Sequence, residues 1–76
     1  MKKADEFEYY TLYAKHKGKN RYRSGFWTAT SFDEAYARVE AIIRIANEQG
    51  RRGTMYQIRA GHTPSTTRDV VWMGGN

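Results

Sequence analysis

Arg21, Arg23 and Trp27 are the residues of this chain best suited to act on a partner. They occupy odd positions in the stretch Arg21-Tyr22-Arg23-Ser24-Gly25-Phe26-Trp27-Thr28. Side chains of a strand alternate between its two faces, so these three would share one side. Tyr22, Phe26 and Thr28 would share the other side and read as core. Two guanidinium groups beside an indole make a surface that neutralises phosphates and stacks on planar groups. The chemistry is recognition of nucleic acid or of an acidic protein.

Catalytic signatures are absent from the sequence. His16 and His62 are the two histidines, and neither stands in a nucleophile or metal-ligand spacing. Ser65, Thr66 and Thr67 place hydroxyls close to His62, without an orienting carboxylate or an oxyanion hole. One catalytic alternative stays open, a small metal-independent ribonuclease toxin. There His62, Arg59, Arg68 and Tyr56 would serve as acid, base and charge stabiliser. The chain has no cysteine, which removes disulfides and Cys-based zinc sites, and no motif calls for a cofactor or a metal. The expectation is a non-enzymatic binding protein.

The elements that must position these residues follow from periodicity and punctuation. Phe7 to His16 is rich in strand formers. Tyr10, Leu12 and Ala14 share one of its faces; Phe7, Tyr9, Tyr13 and Lys15 share the other. Lys17-Gly18-Lys19-Asn20 is a turn, and Arg21 to Thr30 is the second strand of the resulting hairpin. Ser31 and Glu34 fit a capping box that opens a helix. Phe32, Ala35, Tyr36, Val39, Ile42, Ile43 and Ala46 then recur on one stripe at 100° per residue. Ile45 lies off the stripe and would be exposed. Gly50 is a left-handed stop, with Arg51 and Arg52 beyond it at the negative helix end. Thr54 to Ala60 is a third strand. Pro64 marks the loop 61–68, Asp69 to Met73 is a short fourth strand, and residues 1–5 and 74–76 read as flexible.

The fold class is therefore α+β: a two-layer, mostly antiparallel four-stranded sheet with one amphipathic helix on one face, in the order β-β-α-β-β. The 76 residues allow a single small domain. If the helix stripe packs on one sheet face, that face takes Tyr10, Leu12, Tyr22, Phe26, Tyr56 and Ile58. The opposite face is left open. It takes Tyr9, Tyr13 and Lys15 from the first strand, Arg21, Arg23 and Trp27 from the second, and Met55 and Arg59 from the third. Arg51 and Arg52, beside Gly53, form a second candidate phosphate grip. The net charge of +5 would draw such a surface toward polyanions. The same aromatic face would also suit a protein partner or a homodimer, or cross-strand pairing that only holds the sheet together. No apolar run approaches a membrane span and no signal peptide is visible, so the expected location is the cytoplasm.

Two resemblances sharpen these expectations. The passage FWTATSFDEAYARVEAI resembles the strand-to-helix passage of the ethylene-response-factor and recombinase arm-binding DNA domains, through Trp27, Phe32, Asp33, Ala35 and Tyr36. That resemblance implies DNA contacts from Arg21, Arg23 and Trp27. In that family three strands precede the helix, whereas here TMYQIRA and DVVWM follow it. The whole layout, with MYQIR after the helix, is similar to small phage-encoded inhibitors of host machinery, of the anti-CRISPR and RNA polymerase inhibitor type. It implies a viral protein that binds a host protein or nucleoprotein complex in the host cytoplasm and acts by occlusion or recruitment.

Overall fold

The helix is defined by its two ends. In the computed structural model, α1 spans Phe32–Glu48. Ser31 is its N-cap, in extended conformation, and the Ser31 hydroxyl accepts the Glu34 amide at 3.1 Å. Glu34 reaches back one residue further than a capping box requires, accepting the Thr30 amide at 3.2 Å. At the other end Gly50 adopts φ 73°, the Arg51 amide donates to Ala46 O at 2.9 Å, and the Gly50 amide to Asn47 O at 3.1 Å. This double closure is the Schellman arrangement, and it needs a residue that tolerates positive φ.

The structure describes residues 7–76, the side chain of Phe26 excepted. The expected flexible stretch 1–5, and the core role expected of the Phe26 side chain, lie outside these residues. Four strands accompany the helix: β1 Tyr9–Lys15, β2 Arg23–Ala29, β3 Met55–Gly61 and β4 Asp69–Gly75. They form one antiparallel sheet in the order β2-β1-β3-β4. The α+β, two-layer class and the β-β-α-β-β order are as the sequence implies. β1 and β3 are central, which suits their buried side chains, and β2 and β4 are the edges.

One face of the sheet is covered by α1. Tyr10 and Leu12 of β1, and Tyr56, Ile58 and Ala60 of β3, are buried there against Ala35 and Val39 of the helix. Ile58 and Val39 are fully buried, each worth about 1.5–3 kcal/mol of hydrophobic stabilisation. A line of aromatic contacts, Tyr10 to Phe32 to Tyr36 to Trp72, carries the packing from β1 across the helix start to β4. Ile45, off the helical stripe, is exposed.

Two expectations are corrected here. Residues 74–76 are not a loose end. Gly74 and Gly75 pair with Tyr56 and Met55. Asn76 is held through its side chain by Thr54 N, at 3.3 Å, and Arg51 O, at 2.9 Å, and its amide donates to Thr54 O at 3.2 Å.

The second correction concerns β2, whose faces are the reverse of the alternation counted from Arg21. Ala29 pairs with Tyr10 and is fully buried, so it anchors the end of β2 in the core. Thr28 pairs with Thr11 and Ser24 with Tyr13, which places both away from the helix. Arg23 pairs with Ala14 on the helix side. Trp27 is partly buried against the core cluster, and the guanidinium of Arg38 on α1 lies 5.0 Å from its ring. Tyr22 is displaced to the far face, where Lys15 Nζ sits 5.2 Å from its ring. The register also shifts opposite Leu12, where Gly25, Phe26 and Trp27 span the space of one residue of β1. Such a bulge bends an edge strand and lets a short hairpin follow a twisted sheet.

Candidate nucleic-acid interface

The predicted single surface resolves into two adjoining sites on opposite faces. The first is a cationic end of the molecule. The β1–β2 turn closes with the Lys19 amide donating to His16 O at 3.0 Å, and Gly18 takes φ 83°. This turn abuts the loop after α1. Gly53 lies against Lys17, so that a Cβ placed there would come within 3.1 Å of the Lys17 chain. His16 Nδ1 contacts the Thr54 hydroxyl at 3.3 Å. The carboxamide of Asn76 ties Arg51 and Thr54 together behind this contact.

Two hollows open at this end. One, of about 380 Å³, is lined by Ala14, His16, Lys19, Asn20, Arg21 and Arg23. The other, of about 180 Å³, runs beneath the helix and shares Ala14 and His16, with Arg51 on its rim. Among the described residues neither is lined by a carboxylate. Lys17, Lys19, Arg21, Arg23, Arg51 and Arg52 are all exposed. Cations gathered in this way repel one another, an arrangement that a bound anion relieves.

A signal for this clustering lies in the sequence and is distinct from strand alternation. No Asp or Glu occurs between Glu8 and Asp33, nor between Glu48 and Asp69. The fold brings those two acid-free stretches together at the turn and the post-helix loop. Asp33 and Glu34 sit in the first turn of α1, and Asp69 starts β4 opposite Ala60, all at the other end of the sheet. Glu48, at the helix end, lines a separate groove beside Tyr36 and Trp72.

The second site lies on the face away from the helix. Arg59 is its centre. Its guanidinium carbon is 4.1 Å from the Tyr13 ring centroid and 5.5 Å from that of Tyr22. Arg59 Nε donates to Gln57 Oε1 at 2.9 Å, which fixes the plane of the group. Lys15 projects over Tyr22 next to it. This face is partly roofed. The Tyr13 hydroxyl lies 3.5 Å from the carbonyl and hydroxyl oxygens of buried Thr67, so the loop 62–68 folds back over the sheet. Gly61 permits that approach, since a Cβ there would run into Thr66 O. Beyond the loop, Met55 at the start of β3 and Val70 and Met73 of β4 are exposed.

Of the residues expected on one open face, the structure places Tyr9, Tyr13, Lys15, Met55 and Arg59 away from the helix. Tyr9 pairs with Gly61 at the far end, apart from the cations. Arg21, Arg23, Arg51 and His16 gather at the cationic end, with Arg52 beside Arg51 in the same loop. Trp27 belongs to neither site: it packs toward the helix, so the groove contact implied for it by the DNA-binding resemblance is not presented by this face. Tyr22, read as core, joins the second site instead. The four residues of the ribonuclease alternative are not gathered, because Tyr56 is buried beneath the helix while Arg59 lies on the opposite face and His62 rests against Phe7. Among the described residues no helix is long and apolar enough to cross a membrane.

Comparison with protein-family models, with curated proteins and with solved structures finds no match for this chain.

Proposed function

We propose that this protein is a non-catalytic binding module that docks on nucleic acid, or on the nucleic-acid surface of a nucleoprotein complex, through its cationic end. The observation that carries the reading is the hollow lined by His16, Lys19, Arg21 and Arg23, with no carboxylate among the described residues of its walls. Guanidinium forks and ammonium groups recognise phosphate oxygens, and each neutralised phosphate releases counterions. The layout resemblance to phage-encoded inhibitors supports occlusion of a host complex as the mode of action. Arg21 and Arg23 are exposed, so removing them costs no core packing.

The test is fluorescence anisotropy of labelled oligonucleotides between about 50 and 200 mM salt, where several phosphate contacts lose roughly 10³–10⁵ in affinity. Arg21→Ala with Arg23→Ala should weaken binding at least tenfold. It should also flatten the slope of log K against log salt by about 1.4 for a single strand, given about 0.7 per phosphate contact. Wild-type protein that fails to bind at the lowest salt overturns the reading.

A second reading rests on Met55, Val70 and Met73, which expose apolar surface beside the unpaired edge of β4. Two copies pairing β4 against β4 about a two-fold axis would cover it. A rise in solution mass with protein concentration supports that reading; a constant monomer mass removes it.

A further inference from the structure

The cationic end and the Arg59 site meet at the β2 edge, and they look in different directions. Arg23 lies on the helix side, paired with Ala14. Tyr22, its neighbour in sequence, lies on the far face with Lys15 and Arg59. A ligand that contacts both must therefore turn around an edge strand within one residue step. A base-paired duplex is stiff over such a distance and presents its phosphates on a rigid surface, whereas a single strand bends freely and exposes unpaired bases.

The Arg59 site is built for a planar group. Tyr13 backs the guanidinium at stacking distance, Gln57 holds Nε, and Tyr22 flanks it. A guanidinium backed on one side by an aromatic ring presents its other face as a platform for a base, and its two terminal nitrogens as donors to a phosphate or a base edge. The described side chains around it on this face include Lys15, Tyr13, Tyr22, Gln57, Thr11 and Val70, none of them acidic. Among the described residues its guanidinium contacts rings and the Gln57 amide and no carboxylate, and rings leave its formal charge uncompensated, which suits it to an incoming anion.

We infer that the ligand of this surface is a single-stranded nucleic acid, its phosphates held at the cationic end by Arg21 and Arg23 and its next base stacked on Arg59 and Tyr22 as the strand passes around the β2 edge. This rests on the polyanion reading above and narrows it to unpaired strands.

The experiment compares a labelled single-stranded oligonucleotide, in DNA and RNA versions, with a hairpin duplex carrying the same number of phosphates. Each is titrated against wild type, Arg59→Lys and Tyr22→Leu. Arg59→Lys keeps the charge and loses the planar fork. The single strand should bind wild type at least tenfold more tightly than the duplex, as one lost stack is worth roughly 1–3 kcal/mol. Each variant should weaken single-strand binding about tenfold while leaving duplex binding and the salt slope unchanged. Circular dichroism melting of both variants verifies that the fold is retained, and Tyr22→Phe should restore the Tyr22 contact because stacking needs only the ring. A contrast between the DNA and RNA arms would assign the sugar. Equal binding of strand and duplex, with both variants at wild-type affinity, overturns the inference and leaves the polyanion reading standing. No binding of either overturns both.

Discussion

Trp27 is the residue over which strand alternation and packing disagree most, and truncating it separates the two. If Trp27 were a surface contact, Trp27→Ala would leave stability unchanged and remove partner binding. The structure places it partly buried against the core cluster, beneath the Arg38 guanidinium at 5.0 Å. Removing a fully buried Trp costs about 3–5 kcal/mol. Partial exposure scales that to about 2 kcal/mol, and the lost contact with Arg38 adds about 0.5 kcal/mol. In a domain of this size each kcal/mol moves the melting temperature by about 4–8 °C, so Trp27→Ala should lower Tm by roughly 10–20 °C. Arg38→Ala should lower it by only a few degrees, and the double variant should show a coupling of about 0.5 kcal/mol. Thermal melts followed by circular dichroism, with urea titrations to obtain the free energies, give these numbers. A Trp27→Ala protein with wild-type Tm and no coupling to Arg38 would refute the inward placement of β2. It would return Trp27 and Arg23 from the helix side to the open face.

Other perturbations bear on the same architecture. Thr11 is buried and its hydroxyl has no hydrogen-bond partner among the described residues, so Thr11→Val should stabilise the protein by about 1 kcal/mol in urea titration. A loss of stability would reveal a partner for that hydroxyl. Gly61→Ala brings a methyl group onto Thr66 O. It should displace the loop 62–68, cost about 2 kcal/mol, and speed amide exchange in that loop. Ser31→Ala removes the acceptor of the Glu34 amide and should cost about 1 kcal/mol, while Ser31→Asp should be close to neutral, both read from urea midpoints.

Much of the candidate surface was legible residue by residue, without its geometry. Arg21, Arg23, Arg51 and Lys15 are exposed or half-exposed cations, as their types imply. Their grouping depends on Gly53 resting against Lys17 and on Asn76 bracing the post-helix loop, contacts between residues far apart in sequence. Tyr22 illustrates the same limit. An aromatic residue one position before a strand carries no local instruction about which face it will occupy. Here the pairing of Arg23 with Ala14 on the helix side turns its neighbour Tyr22 to the far face, beside Lys15 and Arg59.

The sequence by itself determined the element order, the helix and the core of the central strands. These depend on local or periodic signals: the Ser31 cap, Gly50 with its positive φ, the helical stripe through Val39, and the alternation of Tyr10 with Leu12 and of Tyr56 with Ile58. Each is satisfied within a few residues of chain or by a single repeat, so each can be read in one dimension. Tertiary structure alone decided the facing of β2, the strand order β2-β1-β3-β4 and the division of the basic surface around an edge. The alternation in Arg21 to Thr30 is nearly symmetric, with large aromatic residues on both sides, so its own pattern leaves two facings close in energy. Ala29 breaks the tie: small enough to be fully buried opposite Tyr10, it pins the end of β2 inward. Trp27 then turns toward the helix and Tyr22 out toward Arg59.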